Sequence, residues 1–270
     1  MIIISMGAVK PKKFLGQHFL KDLDIARRIA DTLDDFTDVP VIEVGPGMGV
    51  LTQFLIEKEK GLTVVEIDRD SVPYLNDHYP ALHGRIVEGD FLTLDLSAIY
   101  SDKFCVIGNY PYNISSQIFF KVLEYKNKVL CCSGMLQKEV AERIAAKPGG
   151  KTYGILSVLL QAWYDIEYLF TVSEKVFDPP PKVKSAVVKL VRNKRGHLDC
   201  DEKLFKTVVK TGFNQRRKTL RNSMKPLLGK DCEAYADPIF DERPERLSVA
   251  DFEKLTNIVS AFLPGRSSEK

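Results

Sequence analysis

The chain has 270 residues, 44% of them apolar and 28% charged, with a formal net charge of +3. That balance excludes a disordered chain and describes an ordinary soluble globular protein, with room for one large domain or a medium one plus a small one. No apolar run is long enough to span a membrane. Met1-Ile-Ile-Ile-Ser5 is too short for a signal peptide, and Met6 offers an alternative start. Five cysteines (Cys105, Cys131, Cys132, Cys200, Cys232) form an odd set without a Cys-x-x-Cys. Three of them lie in apolar, strand-like runs, which reads as buried thiols in a reducing, cytoplasmic compartment. The four histidines (His18, His78, His83, His197) have no ligand spacing, so no metal is expected.

Lys10-Pro-Lys-Lys-Phe-Leu-Gly-Gln-His-Phe-Leu20 is a basic, then aromatic arm ahead of a helix expected over Asp24 to Leu33, with Ile25, Ile29 and Leu33 on one face. Such an arm either lies over a site or anchors the terminus. Val41-Ile-Glu-Val-Gly-Pro-Gly-Met-Gly49 reads as a buried strand entering a glycine loop, followed by a helix carrying Leu51, Phe54 and Leu55 inward. The spacing of Gly45, Gly47 and Gly49 is not the dinucleotide fingerprint. Glycines there let backbone approach a ligand, and a helix N-terminus tolerates a carboxylate as well as a phosphate. Leu62 to Asp68 is a second strand ending in acids. Glu66 lies about 20 residues beyond the loop, the offset at which an acid reaches a ribose diol. Arg85-Ile-Val-Glu-Gly-Asp90 is a third strand, and Phe91 after it could lie against a flat ring. Lys103 to Ile107 is a fourth, running into Gly108-Asn-Tyr-Pro-Tyr-Asn-Ile-Ser115. This last stretch offers an amide (Asn109), carbonyls held by Pro111, and the aromatic faces of Tyr110 and Tyr112. It contains no acid, base or nucleophile, so it suits holding a flat amino-bearing ring. Glycine loop, Glu66, Asp90 and Asn109 thus follow four successive strands at one edge of a parallel sheet, where open α/β sheets bind ligands.

A strand is expected over Lys128 to Ser133 and a helix over Gln137 to Ala146. A basic flexible loop, Lys147-Pro-Gly-Gly-Lys-Thr-Tyr153, comes next. A buried helix over Ile155 to Ala162 and a strand over Tyr164 to Phe170 follow it. Phe177-Asp-Pro-Pro-Pro181 is a stiff, aromatic-tipped loop before a β-branched strand, Val183 to Val191. Phe177 is placed there either to stack on a base or to plug the core. A boundary near Arg192 to Asp199 separates residues 1–192 from a helical segment, 193–270. From Val191 to Lys230 there are twelve lysines and arginines against three acids, and from Asp231 to Lys270 five against nine. One basic block in a near-neutral chain points to a polyanion-facing patch. A helix is expected over Lys203 to Phe213, and Asn214 to Lys225 reads as a strongly basic helix. Ser248 and Asp251 form a capping box with Leu247 and Phe252 as its staple, opening a last helix to about Leu263.

A carboxylate-tolerant loop, a diol-binding acid and an Asp placed to accept from an adenine amino group fit S-adenosylmethionine. The glycine spacing argues against a dinucleotide, and the missing Lys-Ser/Thr argues against ATP. The segments Phe14-Leu-Gly-Gln-His-Phe-Leu20, Glu43-Val-Gly-Pro-Gly-Met-Gly-Val-Leu-Thr52, Glu66-Ile-Asp68, Gly89-Asp90, Asn109-Tyr-Pro-Tyr-Asn-Ile-Ser115, Phe177-Asp-Pro-Pro-Pro-Lys-Val183 and Phe213-Asn-Gln-Arg-Arg-Lys-Thr-Leu-Arg221 together resemble the small-subunit ribosomal RNA adenine N6,N6-dimethyltransferase family. The likeness runs from about Lys12 to Leu263.

The resemblance implies an α/β fold: a Rossmann-like class I S-adenosylmethionine-dependent methyltransferase sheet over residues 1–192, with a small C-terminal helical RNA-binding domain over 193–270. It implies that His18 and Leu20 cover the cofactor, that Gly45 and Gly47 pass its methionine part, that Glu66 binds the ribose, and that Asp90 with Phe91 meets the adenine. Asn109 then faces both cofactor and target. Pro111 shapes the turn, and Tyr112 and Phe177 pack on the target base. Lys147, Lys151, Arg216, Arg217, Lys218 and Arg221 would hold RNA backbone. The partner implied is the immature 30S subunit, met by a monomer in the cytoplasm. The family often has Asn where His18 stands, and more often Leu where Tyr110 stands.

Overall fold

The computed structural model describes residues 9, 11–58 and 61–263; the alternative start at Met6 and Lys10 of the basic arm lie outside them. A two-residue strand, β1 (Phe19–Leu20), leads into helix α1 (Leu23–Asp31), whose N-cap Asp22 accepts the Ile25 N–H at 3.0 Å. Strands and helices then alternate: β2 (Val41–Val44), α2 (Thr52–Glu57), β3 (Leu62–Glu66), α3 (Ser71–His78), β4 (Ile86–Glu88), α4 (Leu96–Ile99), β5 (Phe104–Asn109), α5 (Ser115–Glu124), β6 (Val129–Gln137) and α6 (Lys138–Ala145). After α7 (Ile155–Gln161) come β7 (Tyr164–Val172), β8 (Phe177–Asp178) and β9 (Ser185–Arg192). Four further helices close the chain, α8 (Glu202–Asn214), α9 (Leu220–Ser223), α10 (Lys225–Leu228) and α11 (Val249–Phe262), with a run of 3-10 turns between α10 and α11 of which the first is Glu233–Ala236.

The seven-stranded sheet has the order β4-β3-β2-β5-β6-β9-β7. The pairs β2–β3, β2–β5, β3–β4 and β5–β6 are parallel, and β9 runs antiparallel to β6. Every residue of β2 and β3 is buried, as are Phe104–Gly108 of β5, which is why these strands read as unbroken Val, Ile and Leu runs rather than alternating ones. After β2 the chain builds outward through β3 and β4, then returns to β2's other side with β5. That reversal opens a crevice beyond the carboxyl ends of β2 and β5. The sequence expected the third strand to reach Asp90. It stops at Glu88, because Asp90 turns the chain: its carboxylate accepts the Leu92 N–H at 2.9 Å and its carbonyl accepts the Thr93 N–H at 3.0 Å.

The chain divides into two compact units. One holds the described residues through Ala141 together with Asp165–Arg192; the other holds Glu142–Tyr164 and the described part of Asn193–Lys270. The expected boundary at 192/193 recurs, but residues 142–164 group with the C-terminal helices instead of lying in a continuous 1–192 domain. The cause is packing: α8 packs against both α7 and α11. The loop before α7 is also tied down by the Gly149 N–H on the Glu245 carbonyl at 2.7 Å. Within this unit Phe205, Val208 and Val209 of α8 are buried, and Phe213 sits between Tyr153 and Phe252, with ring centroids 6.3 and 5.9 Å away. The capping box of α11 is present.

The basic helix expected over Asn214 to Lys225 does not form. Helix α8 ends at Asn214, Gln215 leaves the helical region (φ −122°, ψ 51°), and the chain turns before α9. The turn places Leu220 and Met224 fully inside, with the Leu220 N–H on the Glu242 carbonyl at 2.8 Å. Among the described residues no helix is long and apolar enough to cross a membrane, and no group of three His, Cys, Asp or Glu side chains is arranged to hold a metal ion.

Candidate active site

A cavity of about 380 Å³ opens at the crevice beyond β2 and β5. It is lined by the arm from Leu15 to Lys21, by Glu43, Gly45 and Gly47, by Glu66 and Ile67, and by Asn109 to Tyr112. All of these belong to the first unit. Of the residues singled out in the sequence, the fold brings together His18, Leu20, Gly45, Gly47, Glu66, Asn109, Tyr110, Pro111 and Tyr112 around this one space.

The glycine loop supplies its floor. Gly47 has φ +56°, a left-handed conformation that side chains rarely adopt, and a Cβ there would meet the Phe19 ring at 3.1 Å. Its N–H donates to Glu66 Oε2 at 2.9 Å, and the Asp68 N–H donates to Oε1 at 2.8 Å. Glu66 is 3% exposed. Burial raises its pKa, and the backbone N–H groups partly offset this. Each carboxylate oxygen keeps a lone pair for a hydroxyl donor. Beside it, Glu43 is 1% exposed and accepts the Thr52 hydroxyl at 2.7 Å. Burial pushes the Glu43 carboxyl up to about 8, the Thr52 bond opposes that, and the nearby Glu66 charge adds to it. Two buried carboxyl groups lining a largely apolar cavity suit a ligand that offers hydroxyl donors. These residues therefore fit S-adenosylmethionine, which carries hydroxyls for a buried carboxylate such as Glu66 to accept.

The arm is fastened over the cavity at both ends. Lys12 Nζ contacts Asp68 Oδ1 at 2.5 Å and Asp70 Oδ2 at 2.7 Å, and Gln17 Nε2 donates to Asp68 Oδ2 at 2.9 Å. The Asp68 side chain has no solvent exposure; burial alone would raise its pKa, but the bonds from Lys12, Gln17 and the Asp70 N–H win and hold it below the usual carboxylate range. Further along, Phe19–Leu20 pairs antiparallel with Phe177–Asp178, and the Lys21 N–H donates to the Val176 carbonyl at 2.8 Å. His18 Nδ1 lies 2.8 Å from the Pro179 carbonyl; since a carbonyl only accepts, Nδ1 carries the proton. The arm is therefore both cover and anchor.

Asn109 ends β5, and its Nδ2 donates to the His18 carbonyl at 3.1 Å. This contact sets the amide: with the nitrogen occupied by the arm, Oδ1 is left as an acceptor. Tyr112 is half-buried. Its hydroxyl bonds to Ser185 Oγ, and its ring lies 5.2 Å from the His18 ring, tilted by 34°. The Tyr110 ring turns away into the core and is 1% exposed, so what this residue presents to the cavity is main chain.

Three expected site residues do not line the cavity. The Asp90 carboxylate caps its own turn, and Phe91 is 3% exposed in the core. Phe177 is 1% exposed and packs in the core cluster with Leu20 and Val176, so of the two alternatives left by the sequence it occupies the plug. In the second unit, Arg216 Nη2 donates to the Gly150 carbonyl at 3.2 Å, which draws the Lys147–Lys151 loop and the Arg216–Lys218 turn together. Arg221 holds Asp241 through Nε at 3.1 Å and Nη2 at 2.7 Å. Arg217 and Lys218 are exposed.

Sequence reasoning passed over Glu43 and the Lys12–Gln17–Asp68 fastening. An acid inside an apolar strand run was a readable signal for Glu43. No local pattern pairs Lys12 with a strand end 56 residues away.

The model of the ribosomal RNA adenine dimethylase family matches residues 8–261. A Parabacteroides distasonis protein named Ribosomal RNA small subunit methyltransferase A is 72% identical, over 98% of this chain and 99% of its own length. A Bacteroides thetaiotaomicron protein of the same name is 65% identical, over 96% and 97%. Among solved structures, a dimethyladenosine transferase from Plasmodium falciparum superposes with a TM-score of 0.74 at 25% identity, covering 88% of this chain and 96% of that one. The 23S rRNA methyltransferase ErmE superposes with a TM-score of 0.65 at 26% identity, covering 90% and 99%. Matched by the family model over residues 8–261 and by a relative 72% identical along nearly its whole length, the chain belongs to the ribosomal RNA adenine dimethylase family.

Proposed function

We propose that the protein transfers methyl groups from S-adenosylmethionine to N6 of two adjacent adenosines near the 3′ end of small-subunit (16S) ribosomal RNA, giving N6,N6-dimethyladenosine as the 30S subunit is assembled. The observation that carries the reading is the Asn109 side chain: its nitrogen is held by the His18 carbonyl, so its oxygen is free to accept at the cavity that Glu66 and the glycine loop share. When bound, S-adenosylmethionine supplies an electrophilic methyl group on a sulfonium.

An exocyclic adenine nitrogen is a weak nucleophile, because its lone pair is drawn into the ring. Asn109 Oδ1 and a main-chain carbonyl at Tyr110–Pro111 accept its two N–H bonds, favour a pyramidal nitrogen and aim the lone pair. Tyr112, its ring braced by Ser185 and His18, packs on the base. The target leaves its helical stack to enter. Catalysis is then positioning and electrostatics. The turn at Arg217 and Lys218 with the Lys147–Lys151 loop meets RNA phosphates, so binding weakens steeply with salt. The protein acts as a monomer in the cytoplasm, and its partner is the immature subunit.

Replacing Asn109 with Ala tests this. Methyl transfer to immature small subunits, measured in single turnover at saturating cofactor so that loosening of the arm at His18 does not enter, is expected to fall by about 10²–10³-fold. Full transfer by the variant, or a wild-type preference for naked large-subunit RNA, would overturn the reading.

A further inference from the structure

Tyr110 occupies the centre of the Asn-Tyr-Pro-Tyr turn, yet its ring is among the largest fully buried side chains of the molecule. A buried tyrosine needs a partner for its hydroxyl, and this one has a specific partner. The hydroxyl donates to the Ser133 carbonyl at 2.7 Å, with Cys132 Sγ 3.3 Å away. The main-chain N–H of the same residue donates to the Met135 carbonyl at 2.9 Å. Both ends of Tyr110 are thus bonded to β6, two residues apart on that strand.

The slot for the ring is built by two glycines. A Cβ on Gly134 would lie 2.7 Å from Tyr110 Cε2 and 2.2 Å from the Gly108 carbonyl oxygen, and a Cβ on Gly108 would lie 3.0 Å from Cε1. Gly108 and Gly134 face each other in the β5–β6 register. Gly134 has φ +153°, at the edge of what other residues adopt. The far side of the ring meets Phe119 edge-on at 5.9 Å. Burial lifts the hydroxyl pKa well above 10, with Cys132 beside it adding to the effect, so it stays a donor at any working pH.

Asn109 and Pro111 flank this residue directly, and the acceptors proposed for the target amine are the Asn109 amide and main-chain carbonyls of this turn. Asn109's own side chain is held through the arm. We propose that Tyr110 is a positioning residue for methyl transfer: its two-point attachment to β6, in a slot opened by Gly108 and Gly134, sets the direction of the acceptors that orient the adenine amine. A misplacement of about 1 Å in such a group costs on the order of 10²-fold in rate. Leucine in this position could fill part of the slot but could make only the main-chain bond.

The inference rests on the proposed methyl transfer, and the experiment separates the two. Wild type, Tyr110→Phe and Tyr110→Leu are compared for single-turnover methylation of immature small subunits, for cofactor dissociation constant by calorimetry and for melting temperature. If wild type itself does not methylate the subunits, the functional reading fails. With wild type active, Tyr110→Phe is expected to slow the bound-state step about tenfold and Tyr110→Leu more, with cofactor affinity within about twofold. Tyr110→Phe keeps the ring and the main-chain bond, so it folds even if Tyr110→Leu does not. A wild-type rate in Tyr110→Phe, or a loss that follows weakened cofactor binding, overturns the proposal.

Discussion

Glu43→Gln is the most informative single change at the cavity. The carboxyl is buried at the end of β2, accepts from Thr52, and faces the buried Glu66, with Tyr79 also within electrostatic reach. Its pKa lies at about 8 against an ordinary 4.5. The folded state therefore binds this proton more tightly than the unfolded chain does. Below the unfolded value both states are protonated and the group is neutral in effect. Between about 4.5 and about 8, unfolding releases a proton, so stability falls as pH rises. Above that window the full penalty applies, on the order of 5 kcal/mol. Glutamine keeps the shape and can still accept from Thr52, but it cannot ionise. Cofactor-free wild type and variant are expected to melt together near pH ~5. By pH ~8.5 the variant should melt higher by on the order of 10 °C. A smaller slope remains from Glu66, whose pKa burial also raises. Scanning calorimetry across that range at fixed ionic strength reads the difference. Parallel curves, or a variant less stable at high pH, would falsify the placement of a neutral Glu43 in the folded protein.

Asp68→Asn weakens the fastening of the arm by Lys12 and Gln17, and cofactor release measured by stopped flow is expected to be about tenfold faster. Because the Asp68 pKa is held below its usual value, its contribution is lost only as pH falls through the acid range, so the ratio of variant to wild-type release rates should be constant from about pH 6 to about pH 8. Removing Arg217 or Lys218 is expected to weaken RNA binding and lower the salt slope by about one each, because each is exposed. Arg221→Ala instead breaks the Asp241 contact and is expected to lower melting temperature with the slope unchanged. Phe177→Ala should cost about 3–5 kcal/mol of stability in denaturant titration, since the ring fills the core; a variant as stable as wild type would return Phe177 to the cavity wall.

Several features were legible in the sequence because they depend on short spans. Buried parallel strands show as runs such as Val41–Val44 and Phe104–Ile107, and the glycine loop and Asn-Tyr-Pro-Tyr turn sit directly after them. The α11 capping box is a four-residue pattern and forms as read. The continuous basic helix failed because charge count carries no information about which apolar residues must be covered. Leu220 and Met224 decided that segment.

What the sequence by itself determined was the order of the main sheet's strands, the sheet edge at which ligand-facing residues gather, and the family. Those follow from local hydrophobic pattern and from motifs whose residues are neighbours in the chain. What only the tertiary structure decided was the company each side chain keeps. The arm's anchorage on Asp68 and on the Phe177 strand, the grouping of 142–164 with the C-terminal helices, the inward turn of Phe177 and Phe91, and the slot that receives Tyr110 all join residues far apart in sequence. Such contacts are chosen by which packing buries the most apolar surface while leaving each buried polar group bonded, a condition no local window contains.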